Sequence, residues 1–410
     1  MSIHKPIQLG LCCMNITLKE STPSIYSSRN MIIRIIEKLG IEELKNRITL
    51  NLIDLKKMIE WNEQNGIKVF RISSNLFPHK TNEKIEDYTF DFARDLLKEA
   101  GNLAKSYNQR ITMHPGQYNV IGTPHEDKFQ QTMRNLDYQA ELLDLMGMGK
   151  DSVMVIHGGG LYGDKEKTKK RWCENFYRLP ERVRKRLVIE NCERIFSIED
   201  CLDISNRINI PVVMDTHHFN CYTLLATHKG EKFKPPGEYI PDVLNSWKRR
   251  GIKPKFHVSE QCCGGRVGKH SDFIDEIPRY LLEIPLLYNT HIDIMIEAKK
   301  KELSIQRLYK KYPFLNCKKN GTHKIIKMNT VLLKRRRRIY FKKKLSKPTN
   351  NKASMNKKIV KITIKRKKIY HAINSNSNDK SISFKVILKN KDSILNVLKK
   401  APCDYIIEQV

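Results

Sequence analysis

Several kinds of segment are missing from this 410-residue chain, and each absence narrows what it can be. No uncharged apolar run reaches the roughly 18 residues that a membrane-spanning helix needs. The first residues lack a basic-then-apolar stretch closed by small residues, so a secretory signal is not expected. None of the ten cysteines stands in Cys-x-x-Cys spacing, which excludes the common zinc and dithiol motifs. Cys12-Cys13 and Cys262-Cys263 are adjacent pairs, expected to be reduced core or loop residues. A soluble, intracellular protein is the expectation.

Acidic residues are scarce in one region only. Residues 311–410 hold 28 Lys plus Arg against 4 Asp plus Glu, a net +24, whereas residues 1–310 hold 48 against 40, a net +8. The chain thus divides into a near-balanced part, 1–310, and a basic extension, 311–410. In the extension Gly occurs once, Lys334–Arg338 and Lys365–Lys368 are dense basic clusters, and Ser375–Asn378 is low in complexity. Partial disorder is the first expectation for such a segment. Ile359–Ile364 and Ser383–Leu388 alternate apolar with polar or basic residues, so a small β-ribbon is the ordered alternative.

What the first part does contain is short apolar runs. Eight read as strands: Ile7–Cys13, Ile67–Ser73, Ile111–His114, Val153–His157, Leu187–Glu190, Pro211–Asp215, Pro254–Val258 and Ile292–Glu297. Each is apolar on both faces, as suits a parallel strand between a barrel interior and a helical layer. Asp91–Lys105, Phe129–Met146, Ile198–Ile208 and Ser271–Leu282 carry helical apolar spacing. Eightfold alternation of strand and helix favours an α/β fold of the TIM (β/α)8 barrel type over an open doubly wound sheet.

Six of these strands stop on a histidine or carboxylate: His114, His157, Glu190, Asp215, His257 and Glu297. The C-terminal strand ends of a (β/α)8 barrel share one face, so these side chains should converge. His218 follows Asp215 by three positions, His270 lies in the loop after the seventh strand, and His79 follows the second. Imidazole and carboxylate donors without thiolate select ions such as Mn²⁺, Zn²⁺, Fe²⁺ or Mg²⁺. One zinc ion takes about three or four ligands, so this larger supply implies two or three divalent metal ions, an arrangement that can bind a phosphate.

Six ordered motifs then resemble a known family: Arg71-Ile-Ser-Ser-Asn-Leu-Phe-Pro-His79, His114-Pro-Gly-Gln-Tyr118, Val155-Ile-His-Gly-Gly159, Val188-Ile-Glu-Asn191, Asp215-Thr-His-His218 and Lys255-Phe-His-Val-Ser259. In that order they are similar to the ultraviolet-damage endonucleases, barrel enzymes related to the apurinic endonuclease IV group. The resemblance covers about residues 5–300 and none of the extension. It implies a metal-dependent DNA repair endonuclease that incises the phosphodiester 5′ of pyrimidine dimers and related photoproducts, with abasic sites as a further substrate. It also implies metal ligation by His114, His157, Glu190, Asp215, His218, His257, His270 and Glu297, with His79 as a further candidate. Manganese is the family's usual ion, and Glu190 would be the bridging ligand. Lys255 matches a lysine that the family can carry in carboxylated form. Lys255 and His257 are two apart on one strand and so share a face, which places an amine beside the cations. Glu190 and Lys255 are therefore the catalytic candidates.

Substrate contacts are expected from Gln117 and Tyr118, which match the pair that probes the strand opposite the lesion, and from Asn15 and Arg71. A polar-aromatic pair at a loop tip can wedge between bases, and a glycine such as Gly116 lets the backbone approach closely. Strand one departs from the family pattern: Leu9-Gly10-Leu11 stands where the family commonly has Leu-Gly-Tyr, so a lesion-stacking ring is expected to be missing. Gly158-Gly159-Gly160 has no Gly-x-Ser-x-Gly partner and reads as close backbone approach to a phosphate or metal. Gly264 to Lys269 misses P-loop spacing and reads as a flexible loop that offers Arg266 and Lys269 to phosphates.

The partner implied is damaged double-stranded DNA, in a nucleus or another DNA-containing compartment, with no membrane and no obligatory protein partner. The extension could tether DNA or target the chain, Lys334–Arg338 having the look of a nuclear-localisation cluster. Two other readings share the metal logic: an apurinic endonuclease of the endonuclease IV group and a metal-dependent barrel sugar isomerase.

Overall fold

The computed structural model describes residues 6–225 and 231–318, and the backbone of three strands between residues 360 and 409. Eight parallel strands form a nearly closed barrel: β1 (Ile7–Cys12), β2 (Val69–Arg71), β3 (Arg110–Thr112), β4 (Met154–His157), β5 (Leu187–Glu190), β6 (Val212–Val213), β7 (Lys255–Val258) and β8 (Ile292–Ile296). Hydrogen bonding gives the orders β3-β2-β1-β8-β7 and β4-β5-β6. Isolated parallel bridges, Met113 to Met154 and Asp215 to His257, join the two arcs. Each expected strand is present; β5 matches its apolar run and the other seven are shorter than theirs.

Strand parity decides which residues face the site. In β1, Leu9 and Leu11 belong to the main core shared with the helices, whereas Cys12 packs in a separate interior cluster with Val69 and Met295. Gly10 is also interior, because a Cβ there would lie 2.9 Å from Met295 Cε and 3.2 Å from Val69 Cβ. Leu11 therefore faces the helical layer. An aromatic ring at position 11 would point away from the barrel centre, so the departure from Leu-Gly-Tyr removes no stacking surface from the interior.

The lower barrel interior is ionic where many such barrels are filled with branched apolar side chains. Arg110 Nη1 lies 2.8 Å from Asp293 Oδ2, and Asp293 also pairs with Lys253. Lys253 Nζ donates to Gln8 Oε1 at 2.7 Å, and Arg110 donates to the carbonyls of Asp151 and Lys253. Built on the Asp293 carboxylate between two cations, this plug closes the end of the barrel opposite the strand-end histidines.

Helices cover the outside. The segment 41–64 is one long helix whose apolar stripe, Leu44, Ile48, Leu52, Leu55 and Ile59, repeats every three or four residues and is buried. Ile198–Ile208 is helical as its spacing requires, with a reciprocal capping box between Ser197 and Asp200 and Asn209 ending it in left-handed backbone. Asp91–Lys105 begins as a 3-10 turn over Asp91–Ala93 and continues as the helix Arg94–Ser106. Phe129–Met146 falls largely within the helix Glu126–Leu145.

Ser271–Leu282 differs: only Arg279–Leu282 is helical. Pro278 removes one amide donor and disfavours α backbone at Ile277. The preceding amides bond to side chains instead, Ile274 to Ser304 Oγ and Asp275 and Glu276 to Glu260 Oε1.

The first compact unit spans Met1–Met328 and the second Asn329–Val410. Packing in the first continues past residue 310, with Leu315 buried and the Tyr309 hydroxyl donating to the Gly66 carbonyl. In the second, β9 (Val360–Arg366), β10 (Ile382–Val386) and β11 (Tyr405–Gln409) form an antiparallel sheet in the order β10-β9-β11. Here the alternating segments follow the ribbon alternative, enlarged by a third strand. Lys334–Arg338, Lys367–Lys368 and Ser375–Asn378 lie outside the described residues.

Candidate functional site

Parallel register assembles the site. His157 and Glu190 are register partners across β4 and β5, and the bridge between Asp215 and His257 sets those two side by side. His114 follows the β3 bridge and Glu297 follows β8, where its amide bonds to the Val258 carbonyl at 2.9 Å. Glu190 is fully buried at the centre. One of its oxygens, Oε2, lies 3.0 Å from His114 Nε2 and 3.3 Å from His157 Nε2. The other, Oε1, lies 2.7 Å from His257 Nδ1 and 3.7 Å from His218 Nδ1. Donor atoms of His114, His157 and Glu190 all lie within 4.8 Å of one another, as do those of Glu190, Asp215 and His257.

Burial alone would raise the Glu190 carboxyl, but charge on His257 and hydrogen bonds from His114 and His157 hold it well below the usual carboxylate range. Glu297 is likewise held down against burial by Arg71 and His257. Desolvation lowers His114, while the acidic groups around His218, Asp215 and Glu190 first, overcome its burial and raise it to about 9. Within the histidine and carboxylate cluster, Asp215 Oδ2 and His257 Nε2 are buried without a hydrogen-bond partner. Unpartnered atoms at a convergent imidazole and carboxylate cluster fit a site that could bind divalent cations.

The remaining expected residues divide. His270 stands at the rim, its ring 5.6 Å from that of His217 and 6.3 Å from that of His218. His79 is not brought to the cluster. Held in left-handed backbone (φ 61°), it is engaged through Nε2 with the Met31 carbonyl at 2.6 Å and through Nδ1 with Asn82. It lines a cleft of about 490 Å³ with Asn75, Asn82, Tyr118 and Asn135. Arg71 is occupied, forming an ion pair with Glu297 inside the barrel. Asn15 is buried and caps the turn Ile16–Lys19 by accepting from the Leu18 amide at 2.9 Å. Neither Arg71 nor Asn15 presents its side chain on the surface, because the closed barrel and the capped turn use them internally.

Lys255 is buried, and its Nζ donates to Thr112 Oγ1 at 2.8 Å. Desolvation, reinforced by the Arg71 and Arg110 charges, pulls the amine down to about 7. Tyr118 is 62% exposed, and its ring lies over Gly116, where a Cβ would come within 2.3 Å of it. Gln117 is exposed beside it, as are Arg266 and Lys269 on the turn that Gln261 organises by donating to the carbonyls of Cys262, Gly265 and Arg266. The glycine run after β4 has a packing cause at its first position: a Cβ on Gly158 would lie 2.3 Å from the Phe196 ring.

Three residues outside the expected set also shape the site. Asn191 ties β5 to β6, accepting from the Asp215 amide, donating to the Asp215 carbonyl and offering its own carbonyl to His218 Nδ1 at 3.0 Å. His217 is buried between His218, His270 and Cys221. Glu193 acts electrostatically on His218 and His157. Asn191 and His217 stand inside quoted motifs, so proximity to a ligand was their only signal in the sequence.

Two histidine-bearing groups sharing one buried carboxylate at the top of a parallel barrel define a (β/α)8 protein whose site could hold divalent metal ions. The UV-endonuclease UvdE family model matches residues 7–327. The UV-damage endonuclease of Schizosaccharomyces pombe is 36% identical over 327 residues, 77% of this chain and 53% of that protein. The UV DNA damage endonuclease of Clostridium perfringens is 34% identical over 302 residues, 73% and 69% of the two chains. A protein of Acanthamoeba polyphaga mimivirus, its own assignment provisional, is 37% identical over 335 residues, 80% of this chain and 98% of its length. The chain thus spans about half the length of its fission yeast relative and nearly all of the viral one. The crystal structure of SacUVDE superposes with a TM-score of 0.64 at 31% identity, covering 75% of this chain and all of that one. The chain belongs to the UV-damage endonuclease family, a family of DNA repair nucleases. Among the described residues no helix is long and apolar enough to cross a membrane.

Proposed function

We propose that this chain hydrolyses the DNA phosphodiester 5′ of ultraviolet photoproducts, pyrimidine dimers first and abasic sites second, leaving a 3′-hydroxyl and a 5′-phosphate. The observation that carries the reading is Glu190: its two oxygens serve two separate histidine groups, in a chain matched by the family over residues 7–327. In this reading His114, His157 and one Glu190 oxygen would hold one cation, and Asp215, His257 and the other oxygen a second. His218, Glu297 and His270 stand close enough to complete two or three sites, with Mn²⁺ as the ion of choice. Bound divalent cations would supply positive charge to the phosphate and activate water for in-line attack. Arg71 steadies the Glu297 carboxylate, and Asn191 fixes the Asp215 backbone and the His218 ring. Lys255, buried with a hydroxyl as acceptor and no carboxylate bonded to it, is the lysine we read as carboxylated. Mass spectrometry that finds no acid-labile addition of CO₂ at Lys255 would remove that part.

Lesion choice is assigned to Gln117 and Tyr118 at the exposed loop tip, since extruding a damaged base costs less than extruding a paired one. Arg266 and Lys269 are assigned to phosphates, and the basic extension to sequence-independent, salt-sensitive DNA affinity or nuclear targeting. The test is incubation with Mn²⁺ and a labelled duplex bearing one cyclobutane pyrimidine dimer, beside undamaged and abasic duplexes, with Glu190→Gln as control. Incision 5′ of the dimer that the substitution abolishes supports the reading. Cleavage of the abasic duplex alone would replace it with apurinic endonuclease activity, and no damage-dependent cleavage would end it.

A further inference from the structure

The loop after β4 exposes two large apolar side chains that the incision chemistry leaves unused. Leu161 is 40% and Tyr162 38% exposed, four and five residues beyond the site residue His157. Their conformation is imposed by the surroundings. Tyr162 has φ +50°, between Gly159 at +96° and Gly163 at +81°, and a bulky residue stays in that region only where neighbours fix it. The Tyr162 ring lies against Gly160, whose Cβ would come within 3.1 Å of it, with Arg171 5.7 Å and the His125 ring 6.3 Å away. Thr168 Oγ1 donates to the Leu161 carbonyl at 2.7 Å.

The same contacts lock this loop to the one that carries Tyr118. Arg171 Nε donates to the Gly122 carbonyl at 2.7 Å, Gly159 packs on Val120, and His125 ends the segment that begins with Gly116. Two exposed tips, Tyr118 and Leu161-Tyr162, thus stand on one braced unit above His114 and His157. The helix behind the second tip, Lys165–Arg178, opens with a basic run whose Lys167 and Lys170 side chains are 80% and 77% exposed.

We propose that Leu161 and Tyr162 are a second apolar contact to the damaged duplex, complementing Gln117 and Tyr118. Rigid apolar side chains next to exposed lysines fit sugars and base faces framed by phosphates. A regular duplex hides its base faces, so the tip touches them only where the lesion has unstacked them. The lysines would act on any duplex. This inference rests on the proposed lesion-directed activity.

The test is fluorescence-anisotropy binding of the full chain, loaded with Mn²⁺, to duplexes whose scissile linkage is a non-hydrolysable analogue. Leu161→Ser with Tyr162→Asn removes both apolar groups, and asparagine tolerates the left-handed backbone. Affinity for the dimer-bearing duplex is expected to fall about fivefold or more, the size of the effect when a side chain that stacks on one base is removed. Affinity for undamaged duplex should stay within about twofold, and Leu161→Met with Tyr162→Phe should restore the wild-type value. Single substitutions serve if the double variant melts early. An unchanged dimer affinity overturns the proposal, and so does an equal loss on both duplexes, which would mark a general DNA contact. A wild-type chain without preference for the dimer would sink the proposed function itself and this inference with it.

Discussion

Lys255 is the residue where environment most changes chemistry. A lysine whose bonded partner is the Thr112 hydroxyl is expensive to bury as an ammonium, so its retention inside the barrel argues for use in the reaction rather than for packing. Lys255→Met is expected to leave Tm unchanged or raised while incision falls about 100-fold, the low end of the loss when a side chain that acts in the chemical step is removed. Calorimetry beside a gel incision assay checks both, and a large loss of Tm would assign Lys255 to structure instead. Gly116→Ala puts a Cβ where the Tyr118 ring lies, so the ring must move. The expected outcome is reduced preference for dimer over undamaged duplex with Tm little changed, read by competition binding. At this scale the sequence named Glu190 and the strand-end histidines by residue type. It could not show that Arg71 and Asn15 are consumed internally, because an ion pair with Glu297 and a helix cap depend on atoms distant in the chain or on local geometry.

Among elements, β8 joins the two ends of the barrel. Its Asp293 neutralises both Arg110 and Lys253 in the lower interior, and its continuation supplies Glu297 above. Asp293→Ala leaves two cations without their carboxylate, and a broken buried pair costs about 3–5 kcal/mol. A Tm fall of roughly 5–10 °C by calorimetry is expected, with incision at 25 °C retained where the folded chain persists. No fall would mean that water replaces the carboxylate. Strands were legible as elements because a parallel strand in a barrel is apolar on both faces. Their interior parity was not: Leu11 faces the helices, and periodicity of two cannot say which phase points inward. Ser271–Leu282 failed for a local reason, since one proline at 278 and side-chain acceptors for three amides outweigh helical spacing.

For the whole molecule, charge and metal are the two levers. Ending the chain after Met328 follows the unit boundary and keeps Leu315 in the core, whereas ending it at 310 would remove that side chain from the packing. The chain cut after Met328 is expected to keep its Tm and its incision at low salt. Its DNA affinity should depend less steeply on salt, the slope of log K against log[salt] falling by about 0.9 for each phosphate that the extension no longer neutralises. An unchanged slope would dissociate the extension from DNA binding. Chelation of bound metal is expected to abolish incision and lower Tm, both restored by Mn²⁺, because a ligand that binds only the native state stabilises it. A Tm indifferent to chelator and to Mn²⁺ would show that the cluster holds no ion.

Residue types at strand ends, the eightfold alternation and the six motifs are local properties of the chain, so the sequence by itself determined the barrel, the family and the converging histidines and carboxylates. Tertiary structure alone decided which histidines each Glu190 oxygen meets, that His79 belongs to a side cleft and that Leu161 and Tyr162 stand braced beside Tyr118. The reason is physical: barrel closure and register fix distances between strand ends far apart in sequence, and no periodicity along one strand encodes which neighbour its last side chain will meet.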